Sequence, residues 1–115
     1  MEVFLKNTTC LLAGIFKDET GVVVPVADIS TLTITLTDLE TGTVINSRNG
    51  QNALNANHVA VDSDGNLAWT VQPLDNIIVT AAKTIETHRV IFTWTYPADG
   101  SKNGRHIEDF NVQNV

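Results

Sequence analysis

The stretch STLTITLTDLETGTV, residues 30–44, alternates apolar and hydroxyl side chains almost residue by residue. Leu32, Ile34 and Leu36 fall on one side of an extended chain, and Thr31, Thr33, Thr35 and Thr37 on the other. A period of two marks a half-buried β-strand, because successive side chains point to opposite faces of the pleat. The period returns from Glu86 to Tyr96, where Val90, Phe92, Trp94 and Tyr96 share a face. Arg89, Ile91, Thr93 and Thr95 take the other face. No segment sustains the 3.6-residue period of a helix.

The remaining text divides into shorter pieces of the same kind. TTCLLAGIF, residues 8–16, is apolar on both faces, with Cys10, Leu12 and Phe16 opposite Leu11, Ala13 and Ile15. A strand of that composition is expected to be covered on both sides. The second cover is either a loop of its own chain or another subunit. In the latter case the candidate interface residues are Leu11, Ala13, Ile15, Val22 and Val24. GVVVPV, residues 21–26, reads as a further strand, with Pro25 marking an edge or an end. ETGT, residues 40–43, turns the Thr-walled strand back into VIN. The Asn-rich segment 47–58 predicts a loop with at most a short turn of helix.

VAVDSDGNLAWTV, residues 59–71, predicts a hairpin closed at Asp64-Gly65, with Leu67, Trp69 and Val71 pointing inward. PLDNIIV gives a brief strand or helical turn near Ile77–Val79, and a last strand is expected from Arg105 to Val112. Turn signals recur about every ten to fifteen residues, which argues for an Ig-like antiparallel β-sandwich of about seven strands. A small β-barrel is the alternative. The whole of residues 1–115 reads as one domain, with Leu32, Ile34, Leu36, Trp69, Val90, Phe92 and Trp94 as its candidate core. Each indole N–H of that core is expected to find an acceptor inside.

Charge narrows the partners. Lys and Arg number 7 against 13 Asp and Glu, a formal net charge of -6. An acidic surface repels phosphate, and no basic stripe is interleaved with aromatics, so neither nucleic acid nor an anionic membrane is an expected partner. No run approaches the roughly 18 apolar residues of a spanning helix. Cys10 is the single cysteine, which excludes an intrachain disulfide. TTCLLAG lacks the apolar run and basic start that precede a lipoprotein cleavage site.

The chemistry-bearing residues form no catalytic pattern. DSDGN, residues 62–66, begins like an EF-hand loop, but Gly65 stands at the fourth place and Pro73 where the bidentate glutamate belongs. A tight turn demands the same Asp and Gly. His58, His88 and His106 have no companion ligand at short spacing. His88 has core parity, and His106 is placed likewise, so a His88–His106 pair is the one zinc arrangement the sequence leaves open. No nucleophile elbow, P-loop or HExxH motif is present. Glu108 and Asp109 are adjacent in a strand and point to opposite faces. The expectation is a protein without catalytic residue, metal or cofactor.

Four blocks carry a resemblance: DLETGTVIN, ALNANHVAVD, LAWTVQPLDN and ETHRVIFTWTY, the last leading to a Gly-rich turn and a final strand. Together, over roughly Leu32 to Asn114, they resemble a family of small Ig-like β-sandwich proteins of tailed bacteriophages and prophages. The resemblance brings no catalytic motif. It implies a virion structural protein, made in the host cytoplasm, that binds other capsid, connector or tail subunits in a homo- or hetero-oligomeric assembly. A capsid decoration or head protein, or a connector-associated one, is the leading expectation within it. A carbohydrate- or receptor-binding Ig-like module is the alternative, and a small metal-dependent hydrolase is a third reading.

Overall fold

The computed structural model describes residues 2–114. The alternating segments become strands: β1 Glu2–Leu5, β2 Cys10–Ile15, β3 Thr31–Asp38, β4 Gln51–Asn52, β5 Val59–Val61, β6 Asn66–Val71, β7 Ile85–Tyr96 and β8 Lys102–Gln113. Short 3-10 turns cover Val26–Asp28 and Pro73–Asp75, and no α-helix occurs among the described residues. Among the described residues no helix is long and apolar enough to cross a membrane.

The strands form two sheets, a five-stranded one in the order β1-β8-β7-β3-β4 and a three-stranded one in the order β2-β6-β5. With β2 to β8 read as the B, C, C′, D, E, F and G strands, this is the immunoglobulin order. The structure is a β-sandwich, not a barrel. One pair departs from the antiparallel expectation: β1 runs parallel to β8, with Glu2 opposite Phe110 and Leu5 opposite Gln113. The hallmark B–F cysteine pair of antibody domains is absent, and the tryptophans sit on β6 and β7.

Register follows the alternation. Leu32, Ile34 and Leu36 stand opposite Trp94, Phe92 and Val90, so the apolar halves of β3 and β7 coincide. All of these, with Trp69, are 3% exposed or less. Trp69 crosses edge-to-face with Phe92 and Phe110 at centroid distances of 6.0 and 6.2 Å, while Trp94 lies 4.3 Å from Phe16. Contrary to the expectation, neither indole N–H reaches a protein acceptor. Trp94 instead lies over Gly104, its partner on β8, where an added Cβ would come within 2.2 Å of the ring.

The threonine face lies on the outside of the five-stranded sheet. Thr31 and Thr33 stand opposite Thr95 and Thr93. The Thr95 hydroxyl lies 2.6 Å from those of Ser30 and Thr31, and Thr35 accepts the Gly50 N–H at 2.9 Å. Beside them Arg89 donates two hydrogen bonds to Asp109, at 2.8 and 2.9 Å.

Other differences are local. Gly21–Val26 is no strand: a single bridge pairs Lys17 with Val23, and Pro25 leads directly into the 3-10 turn. Segment 47–58 holds the short strand β4 and no helix, and the turn expected near Ile77 lies earlier, at Pro73–Asp75. The hairpin closes as expected. Asp62 Oδ1 accepts the N–H groups of Asp64 and Asn66, both at 2.9 Å, and Gly65 supplies the left-handed φ of 72°. Those hydrogen bonds from Asn66 and Asp64 hold the Asp62 carboxyl below its ordinary pKa.

Candidate functional site

Three regions stand out among the described residues, although apolar side chains are exposed also at Leu39, Val44, Ile85 and Ile107. The first is the side of the sandwich where β1 and β2 are the outermost strands of their sheets. Leu11 and Ile15 on β2 are 63% and 48% exposed, with Ala13 exposed between them. They share their face with Thr70, Ala68 and Asn66 of β6. Val3 and Leu5 on β1 are likewise exposed, as is Val22 in the following loop. The second face of β2 is therefore uncovered, and no loop of the described chain closes over it. Val24 does not belong to this surface. It is 4% exposed and packed in the core, its N–H bound to the Phe16 carbonyl and its own carbonyl against Gly65. The bridge at Lys17–Val23 turns Val24 inward and leaves Val22 outside.

The second region gathers Asp38, Glu86 and His88, all 2% exposed or less. One donor atom from each lies within 4.8 Å of the others. His88 Nε2 is 2.9 Å from Glu86 Oε1 and 3.9 Å from Asp38 Oδ1. A carboxylate only accepts, so Nε2 carries the proton and donates it. Glu86 also accepts the N–H groups of Val79 and Thr80, at 2.8 and 2.7 Å. Asp38 Oδ2 takes the N–H and hydroxyl of Thr41. A histidine and two carboxylates are metal-ligand types. Yet metal-bound imidazoles donate their other N–H to a carbonyl or carboxylate, and His88 Nδ1 meets no protein acceptor. Glu86 and His88 form a hydrogen-bonded clamp that ties the 79–80 loop to β7, while Asp38 beside them holds the turn at Thr41.

His106 is not part of it. On β8 it stands opposite Phe92, four residues along β7 from His88, and its ring lies against Gly14 of β2. The sequence-level pairing of the two histidines therefore does not form.

Glu86 gives a pH prediction. Burial pushes its pKa up, but the hydrogen bonds from His88, Thr80 and Val79 outweigh burial, and its folded pKa lies below the ordinary value of 4.5. A depressed carboxyl pKa contributes stability above the unfolded value and loses it as pH falls through the folded one. The stability gap between the wild type and Glu86→Gln is expected to be full at neutral pH. It should narrow steadily once pH drops below about 4.5, as read from urea-unfolding midpoints. A constant gap would place the Glu86 charge outside the clamp.

The third region is a cleft of about 420 Å³ lined by Asn46, Arg48, Gln51, Asn57, His58, Gln72, Pro73 and Leu74. Three loops build it: β3–β4, β4–β5 and β6–β7. At its base Arg48, 3% exposed as a residue, brings its guanidinium to Asp75, 0% exposed, at 2.5 and 3.2 Å. Asn46 Nδ2 and the Gln72 N–H complete the Asp75 carboxylate at 2.9 and 2.8 Å. Arg48 further donates to Gln51 Oε1 at 2.8 Å and lies 5.9 Å from the Trp69 ring centroid. Of the lining residues the sequence reading singled out only His58, as a histidine with no companion ligand, and it passed over Arg48 and Asp75. The available signal was one Arg within an Asn-rich loop, since Asn tolerates left-handed backbone and such loops adopt fixed shapes.

No protein-family model matches this chain, and a search of curated proteins finds no significant match.

Proposed function

We propose that this chain is a non-enzymatic structural module of a tailed-phage virion that binds neighbouring subunits through the β1/β2 side of its sandwich. The observation that supports this reading is the row of exposed apolar side chains along β2, Leu11, Ala13 and Ile15. Leu11 and Ile15 project from an edge strand whose backbone pairs on one side only. An unpaired edge flanked by apolar side chains accepts a strand from another chain, with backbone hydrogen bonds giving affinity and alternate side chains giving register. A monomer in water gains nothing from leaving such a surface open, whereas an assembly buries it.

The family resemblance supplies the virion, and capsid decoration is the form we favour. A tight-binding decoration subunit acts by area and repetition, which needs no pocket and no catalytic group. The test is co-sedimentation of the purified chain with phage shells that lack it. Binding is expected to saturate at a fixed stoichiometry. The variant carrying Leu11→Asp and Ile15→Asp should bind at least about tenfold more weakly, because charges would enter an apolar contact. Its melting temperature should stay within a few degrees of the wild type, since both positions face solvent. Undiminished binding by that variant would move the interface elsewhere, and absence of binding to any shell would remove the virion reading.

A further inference from the structure

The Arg48 cleft is built with more care than the fold requires. A sandwich of this size is held by its apolar core, and a buried ion pair adds little net stability over apolar residues of the same volume. Yet Arg48 and Asp75 are buried together under the cleft floor and locked by Asn46, Gln51 and the Gln72 backbone. The backbone is unusual in the same place. Of six non-glycine residues with left-handed φ among the described residues, five lie between 46 and 58: Asn46, Ser47, Asn55, Asn57 and His58. Ser47, at φ 56°, is the least suited by residue type. Such conformations persist where surrounding structure over-determines them, and they gather at ligand clamps. At the rim, Leu74 is 67% exposed although it belongs to no strand.

The chemistry of the lining selects a ligand class. The charge of Arg48 is matched by Asp75 below it, and the other polar lining groups are four side-chain amides and an imidazole. A guanidinium has five N–H donors, of which three are engaged by Asp75 and Gln51. Gln51 uses its oxygen, Asn46 and Asn57 use their nitrogens, and so Gln51 Nε2, Asn46 Oδ1 and Asn57 Oδ1 remain for a visitor. Donors and acceptors are thus interleaved, without net charge. Hydroxyl groups, which donate and accept at once, match that pattern best. Pro73 and Leu74 supply an apolar wall for a C–H face. We propose that this cleft binds a neutral saccharide.

The inference goes beyond the assembly reading and does not depend on it. β4 and β5 are the edge strands on the side opposite β1 and β2, so the cleft and the apolar side can be occupied together. A subunit that adheres by one side would present the other to a glycan.

The test is nuclear magnetic resonance of the 15N-labelled full chain, titrated with maltose, lactose and N,N′-diacetylchitobiose. Sialyllactose serves as the anionic arm and N-acetylglycinamide as the peptide arm. At least one neutral sugar is expected to shift backbone amides of residues 46–58 and 72–74 selectively, with the two control arms weaker. The double variant His58→Asn, Leu74→Ala should lower the apparent affinity about tenfold while leaving the melting temperature unchanged. Asparagine tolerates the backbone at 58, and Leu74 is mostly exposed, so its truncation uncovers little apolar surface. The Leu11→Asp, Ile15→Asp variant should keep the full sugar response, which separates this site from the assembly surface. Failure of all three sugars to give localised shifts overturns the proposal. So does an equal or stronger response to N-acetylglycinamide, which would make the cleft a peptide site.

Discussion

Arg48→Ala is expected to destabilise the protein by about 3–5 kcal/mol, because it leaves the Asp75 carboxylate buried without its counter-charge. Asp75 is 0% exposed and its remaining partners are one amide N–H and one backbone N–H, too few to replace a guanidinium. The cost should come from the orphaned charge and not from the lost contact. The double variant Arg48→Met, Asp75→Asn tests that assignment. It removes both charges, keeps an oxygen for the Gln72 N–H and retains most of the volume, so it should recover most of the loss. Urea-unfolding midpoints at constant slope provide the measurement. A single variant within about 1 kcal/mol of the wild type would show that water reaches Asp75 and that the cleft floor is open.

Trp94→Ala should cost about 3–5 kcal/mol, the range for removing a buried aromatic and leaving a cavity. The expected fall in Tm is roughly 10–25 °C for a domain of this size. The indole is held on two sides, by the Phe16 ring at 4.3 Å and by the Gly104 backbone. The Gly104 wall cannot collapse inward, because β7 and β8 stay in register along twelve paired residues. Gly104→Ala probes the same contact from the other side. A Cβ there falls within 2.5 Å of three indole atoms, so the ring must shift, and overpacking of this kind costs about 1–3 kcal/mol. If the core tolerated Trp94→Ala with a change in Tm of only a few degrees, the close packing of Trp94 against Phe16 and Gly104 would be wrong.

Much of the sandwich was legible in the residues that alternate. Leu32, Ile34 and Leu36 against Thr31, Thr33 and Thr35 name a strand and its buried face, since only one register keeps all the apolar side chains inside. Val90, Phe92 and Trp94 do the same for its neighbour, and Asp62–Asn66 names its own turn. Val24 shows where such reading stops. Its sequence neighbours are valines with the same local preference, and only the bridge at Lys17–Val23 and the approach of Gly65 decide which one faces inward. β1 was illegible for a related reason: a four-residue strand that pairs in parallel with the far end of the chain carries no local signal beyond its apolar residues.

The sites were less legible than the fold. Arg48 and Asp75 lie 27 residues apart, and their meeting depends on two loops converging at one end of the sandwich. Asp38 reaches Glu86 and His88 because β3 and β7 pair, with Asp38 opposite His88. No spacing rule encodes either encounter, as both are contacts between loops or strands set by sheet order.

By itself the amino-acid sequence determined that this chain forms half-buried strands with defined inner faces, because side-chain parity along an extended backbone is a purely local property. Only the tertiary structure decided which of those faces stay open and which polar groups meet. That is because cover and contact depend on the order of strands in the two sheets, and sheet order is fixed by packing among segments far apart along the chain.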